Sequence, residues 1–205
     1  MTSEVDLLVE GRLADPHHLL GAHARDGGVV VRAWRPEAAT VVARPENAEP
    51  VELELRHPAG LFEGFVPDAD APLSYELEVS YPDGNTYTLR DPYAFAPTLG
   101  ELDLHLAGEG RHERIYERLG AHPCEAQGVA GTAFAVWAPN ARAASVVGDF
   151  NGWDGRLNPM RSLGSSGIWE LFVPGVDEGQ RYKFELKGPG GDLLPLKADP
   201  YALAA

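Results

Sequence analysis

Gly148-Asp-Phe-Asn-Gly-Trp-Asp154 puts a tryptophan directly after Asn151-Gly152, a strong turn signal. Trp153 is therefore expected on or beside a tight loop rather than inside a strand. The face of an indole suits the apolar C–H face of a pyranose ring, and neighbouring Asn and Lys groups can bond the ring hydroxyls. The competing reading folds Trp153 back over the edge of its own domain. Trp34 and Trp137 end matching runs of β-branched and aromatic residues, and Trp169 aligns with Phe62, so all three are expected in the core.

No other residue set is spaced for chemistry. His17 and His18 are adjacent, and His105, His112 and His122 are scattered without cysteine partners, so no metal site is expected. Glu101, Asp103, Glu109 and Glu113 could supply a carboxylate pair for glycoside chemistry, but they lie on a charged stretch where solvated faces are the default. Cys124 follows Pro123 with no basic neighbour to activate it. The sequence holds no phosphate-binding glycine loop and no serine nucleophile elbow, and it implies neither a cofactor nor a catalytic residue.

The charge balance narrows the partners. With 31 acidic against 17 basic residues the formal charge is -14, which repels phosphate backbones and anionic membranes but leaves a neutral sugar polymer indifferent. A single cysteine cannot form an internal disulfide, and the start Met1-Thr-Ser-Glu-Val-Asp is acidic where a signal peptide is basic. No apolar run approaches the ~20 residues that span a bilayer. A cytoplasmic protein is expected.

The positions of these residues follow from a duplication. Leu20–His23 recurs at Leu119–His122, Trp34-Arg-Pro36 at Trp137-Ala-Pro139, and Gly60–Pro67 at Gly167–Pro174. Tyr75-Glu-Leu-Glu-Val recurs as Tyr182-Lys-Phe-Glu-Leu, and Asp91-Pro-Tyr-Ala as Asp199-Pro-Tyr-Ala. The order is kept while the offset grows from 99 to 108 residues. The shared segments are short, rich in Val, Phe, Tyr and Trp, and bounded by Gly, Pro, Asn or Asp, as strands are. Pro82-Asp83-Gly84-Asn85 and Gly188–Asp192 read as hairpin turns in the two copies. The fold class is all-β: two tandem immunoglobulin-like sandwiches, over residues 1–105 and 126–205, joined by a short helical connector at 106–125. Ser3 and Asp6 form a capping box for a short N-terminal helix, and Ile115, Tyr116 and Leu119 share one face of a connector helix that Gly120 would cap.

Several of these segments carry a family likeness. Glu109–His122, Val136-Trp-Ala-Pro-Asn-Ala-Arg142, Val146–Asp154 and Lys197-Ala-Asp-Pro-Tyr-Ala202 resemble the N-terminal region of bacterial 1,4-α-glucan (glycogen) branching enzymes, as do Asp15–His23 and Pro97–His105. The resemblance covers nearly the whole chain. It implies an extra N-terminal sandwich followed by a family-48 carbohydrate-binding module, ahead of a catalytic (β/α)8 barrel of the α-amylase superfamily. A barrel of that kind takes ~250 residues, and the family's catalytic carboxylates sit on it, so a chain of this length is expected to be inert alone. The implied partners are α-glucan, bound weakly, and the enzyme's own barrel. In the related module of the AMP-activated protein kinase β subunit, a loop Trp stacks on sugar and a Lys in Tyr-Lys-Phe assists. Trp153 and Lys183 match these two, with Asn151 beside them. The second stacking Trp of that module has Leu193 or Leu194 in its place. A free-standing glucan-binding scaffold, and a debranching or trehalose-forming relative, are the alternatives.

Overall fold

Local signals set the element ends in the computed structural model, which describes residues 3–202. Helix α1 (Glu4–Val9) opens on the expected reciprocal cap: the Asp6 N–H donates to Ser3 Oγ (3.1 Å) and the Ser3 N–H to Asp6 Oδ2 (2.9 Å). The chain forms two compact units. One comprises Met1–Val9 with His17–Ala94, the other Glu10–Pro16 with Phe95–Ala205.

The first unit has seven antiparallel strands: β1 (Gly21–Arg25), β2 (Gly28–Trp34), β3 (Thr40–Pro45), β4 (Val51–His57), β5 (Leu61–Pro67), β6 (Tyr75–Ser80) and β7 (Thr86–Arg90). Their order is β1-β2-β5-β4-β3-β6-β7. Strand β4 joins the two layers, since its residues 51–53 pair with β3 and its residues 54–57 with β5. Alternate residues turn inward, so Val29, Val31, Ala33 and Phe62 of one layer pack on Val41, Ala43, Tyr75, Leu77 and Val79 of the other.

The second unit repeats the plan. Helix α2 (Glu101–Gly108) precedes β8 (Gly120–Ala126), β9 (Val129–Trp137), β10 (Ala143–Gly148), β11 (Arg161–Ser162), β12 (Ile168–Pro174) and β13 (Tyr182–Lys187). One layer is β11-β12-β9-β8 and the other is β10-β13. Pro159 bridges to β10, while Leu193 and Lys197 bridge to β13. Phe134 meets Phe150 and Tyr182 in the core, at centroid distances of 5.5 and 5.1 Å.

The segment read as a connector belongs to the second unit. Gly120–Ala126 is a strand, and residues 95–119 cover the outer face of the larger sheet. Leu99, Leu104, Ala107, Ile115 and Leu119 pack with Ala135, Leu163 and Ile168. Phe95 lies 4.9 Å from Phe172, and the fully buried Glu170 binds Arg161 (2.8 Å) and the Thr98 hydroxyl (2.7 Å). The helix also lies earlier than expected. It occupies 101–108, and 111–119 holds only a 3-10 turn at Ile115–Glu117. Asp103 explains the difference: it draws in the His112 ring (2.9 Å) and the Arg118 guanidinium (3.2 Å), bending the segment back on α2 and leaving Tyr116 exposed. Burial works against the charge on Asp103, but His112, the Gly100 N–H and Arg118 together hold its pKa below the usual value.

The repeated motifs are a set of matched locks. His23 Nε2 hydrogen-bonds the Leu20 carbonyl (3.0 Å), and His122 Nε2 the Leu119 carbonyl (2.9 Å). The intervening Gly21 and Gly120 have φ of +94° and +102°, and a Cβ there would lie 2.5 Å from the Tyr93 carbonyl and 2.9 Å from Asp199 Oδ2. Tyr75 donates its hydroxyl to Asp91 and Tyr182 to Asp199, and each Asp accepts the N–H two residues on. These motifs hold each strand start against its own Asp-Pro-Tyr turn.

Candidate functional site

Trp153 ends a tightly closed loop after β10. Asp149–Asn151 form one 3-10 turn, then Gly152 and Trp153 both take left-handed backbone, with φ of +61° and +64°. Gly152 accepts that conformation freely, whereas a bulky residue at positive φ is an outlier. The Trp153 N–H donates to the Gly148 carbonyl (3.0 Å), and its indole N–H donates to Asp149 Oδ1 (3.1 Å). Arg181 clamps the same carboxylate (3.0 Å), and its hydrogen bonds, followed by that of Trp153, hold the Asp149 pKa down. Asn151 is turned inward. Its Oδ1 accepts the Gly148 N–H, and its Nδ2 donates to the Val146 carbonyl and Asn158 Oδ1, at 2.8–2.9 Å. Its amide is engaged in shaping the turn, not presented to a ligand.

Strand β13 gathers the rest. Phe184 and Leu186 are buried, so Lys183, Glu185 and Lys187 share the outer face. The loop carrying Trp153 is attached at both ends of this row. At one end Asp149 holds Arg181. At the other Gly155 lies against Glu185, whose Oε1 would be 2.1 Å from a Cβ on that glycine. Lys183 stands between these anchors, about 7 Å along the strand from each. Trp153 is 38% exposed, and Lys183 is exposed on the outer face of β13. Asp149, Arg181 and Glu185 were not singled out from sequence. The alternation in Tyr182-Lys-Phe-Glu-Leu was the available signal for Glu185; Asp149 and Arg181 carried none that distinguishes them from surface charges.

Known families match both parts of the chain. Residues 1–93 match the family model of the alpha-1,4-glucan branching enzyme GlgB N-terminal domain, and residues 118–202 match carbohydrate-binding module 48, the isoamylase N-terminal domain. Each part of the chain is thus similar to one of these two families. It is similar to 1,4-alpha-glucan branching enzymes GlgB from Myxococcus xanthus (55% identical over 200 residues) and Rubrobacter xylanophilus (52% over 203). The enzyme from Rhodopseudomonas palustris is 51% identical over 205 residues. These alignments cover 97–100% of this chain but only 27–28% of each relative, so the chain corresponds to their N-terminal region. Trp153 and Lys183 both fall in the carbohydrate-binding module.

Elsewhere in the module 48 unit the tryptophans part company. Trp169 is buried as expected, its indole N–H on the Ala138 carbonyl (3.1 Å). Trp137 is not core: it is 62% exposed, whereas its repeat partner Trp34 is 6% exposed and bonds the Ala59 carbonyl. Both end their strands on the outward face, opposite Ile168 and Leu61, where burial needs a cover from outside the sandwich. Among the described residues no three His, Cys, Asp or Glu side chains cluster to hold a metal, and no helix is long and apolar enough to cross a membrane.

Proposed function

We propose that the chain is the non-catalytic, glucan-holding N-terminal part of a cytoplasmic 1,4-α-glucan branching enzyme. It binds α-glucan through Trp153 and Lys183 and packs against the catalytic barrel of the same enzyme, which transfers α-1,4-glucan segments to 6-hydroxyls. The observation that carries this reading is the Trp153 indole, held at an unfavourable positive φ, pinned by Asp149 and left exposed. Backbone strain kept at an exposed aromatic points to use of that aromatic. The face of a pyranose ring would stack on the indole while Lys183 donates to a ring oxygen.

Binding by one platform is weak. Leu193, 60% exposed, or Leu194 takes the sequence position of the second aromatic of related modules, so the dissociation constant is expected in the millimolar range. On a polymer held by a larger enzyme, such contacts still raise occupancy through effective concentration. Maltoheptaose titrated against the wild-type chain should change its Trp fluorescence, and Trp153→Ala should abolish the change. Identical isotherms for the two proteins overturn the reading. Amylose incubated with this chain should keep its iodine-stain spectrum, because in branching enzymes the nucleophile and acid–base pair sit on the barrel.

A further inference from the structure

Two aromatic positions of the repeat are buried in the first unit and open in the second. Trp34 and Tyr93 are 6% and 7% exposed, and the His17 ring stands edge-on to Tyr93 at 5.0 Å. Their counterparts Trp137 and Tyr201 are 62% and 38% exposed. The strand register brings these two to the same end of the larger sheet. Gly120, the first residue of β8, pairs with Ala135 of β9, and a Cβ on Gly120 would lie 3.2 Å from the Tyr201 Cβ. Trp137 is two residues past Ala135, about 7 Å along the strand and beyond the start of β8. A Cβ on Gly167 would be 3.2 Å from its Nε1, so one edge of the indole rests on backbone while most of the ring meets water. Tyr116, 55% exposed, belongs to the same end. The Leu119 N–H on the Ile115 carbonyl (2.9 Å) closes its turn immediately before Gly120.

Three exposed rings about one strand start make a surface of the kind that proteins bury. Residues 95–119 cover this sheet over Ala135, Leu163 and Ile168, and that cover stops short of Trp137. Two features point to polypeptide, rather than glucan, as what completes it. In the first unit, the same residue types at the same repeat positions are packed by protein. In the branching enzymes similar to this chain, only 27–28% of the length is matched, and the module's match ends at residue 202, next to Tyr201. The polypeptide that follows in those enzymes thus leaves from beside this surface.

We propose that Tyr116, Trp137 and Tyr201 form the docking surface for the part of a branching enzyme that follows this region, with Trp137 as its anchor; this rests on the branching-enzyme reading and names where the packing occurs. An indole taken from the exposure of Trp137 to that of Trp34 removes a large apolar area from water, and Trp and Tyr are the side chains on which interface energy concentrates.

The experiment compares this chain alone with the chain joined to the remaining polypeptide of the Myxococcus xanthus enzyme, whose matched region is 55% identical. A shift of the amylose iodine stain shows that the joined protein is active. Hydroxyl-radical oxidation, located by mass spectrometry, then reads each ring. Trp137 should oxidise about tenfold more slowly in the joined protein, the ratio of its exposure to that of Trp34 (62% against 6%). Tyr116 and Tyr201 should slow with it, and Trp153, left free for glucan, should react alike in both. Trp137→Ala should barely move the melting temperature of the chain alone and should lower the transition of the same region in the joined protein by several degrees. If the joined protein is active and Trp137 oxidises as fast as in the chain alone, the docking surface is overturned and the branching-enzyme reading stands. Protection of Trp137 in the chain alone by maltoheptaose, or by raised protein concentration, gives the surface to glucan or to a second copy and equally overturns the proposal. A joined protein that neither branches amylose nor protects Trp137 removes the branching-enzyme reading and the docking surface with it.

Discussion

The Tyr75 hydroxyl lies 2.6 Å from Asp91 Oδ2, both residues are buried, and the other carboxylate oxygen accepts the Tyr93 N–H at 3.1 Å. Burial raises the Asp91 pKa despite the nearby Arg35 charge, so this carboxylate depends on every donor it has. Replacing Tyr75 with Phe removes the donor but not the acceptor, leaving a buried oxygen unsatisfied. The expected loss is about 1–3 kcal/mol, read as a lower urea midpoint at unchanged slope. Tyr182→Phe repeats the change in the second unit, where the tyrosine is only part-buried and solvent can reach Asp199, so its loss should be smaller. Equal losses would mean that the hydrogen bond, rather than its burial, sets the energy.

At the scale of elements, β2 and β9 end in the same residue type on the same outward face, and only one end is covered. Trp34→Ala should cost about 3–5 kcal/mol, as truncation of a buried Trp does. Trp137→Ala should stay within about 1 kcal/mol by the same urea measurement, because most of its side chain is already in water. Comparable losses would show that Trp137 packs in solution. This pair also marks what sequence could tell. Leu-Gly-Ala-His, Tyr…Asp-Pro-Tyr and Asn-Gly-Trp were legible because each acts through its own backbone: a positive φ, a carbonyl three residues back, an N–H two residues on. The two sandwiches and the exposed Trp153 turn followed from those local rules. The burial of Trp34 and exposure of Trp137 were not legible, since strand periodicity says which face a residue takes and not what lies over that face. The helix at 101–108 was missed for a related reason. Ile115 and Leu119 have helical spacing, but ties from His112 and Arg118 to a distant Asp103 override it.

At the scale of the whole molecule, three buried or part-buried tyrosines, Tyr75, Tyr93 and Tyr182, hold their protons more tightly than free phenols do. Burial, reinforced by Asp91, raises the Tyr75 pKa well above 10.0, and burial does the same for Tyr93 despite Arg35. In the second unit burial and then Asp199 raise Tyr182. In the unfolded chain these phenols titrate near pH 10. Below that pH both states hold the protons and stability is independent of them. Above it the unfolded chain releases protons that the folded chain retains, so stability falls as pH rises toward the folded-state values. Each proton contributes a slope of up to about 1.4 kcal/mol per pH unit. With a formal charge of -14 the chain also gains self-repulsion as further groups ionise, which acts in the same direction. Melting temperature should therefore hold steady through neutral pH and drop steeply above about pH 10. Once its lower starting stability is allowed for, Tyr75→Phe should show a shallower alkaline slope than wild type, because it has lost one of the retained protons. An unchanged slope in that variant would assign the alkaline loss to net charge instead of to the buried phenols.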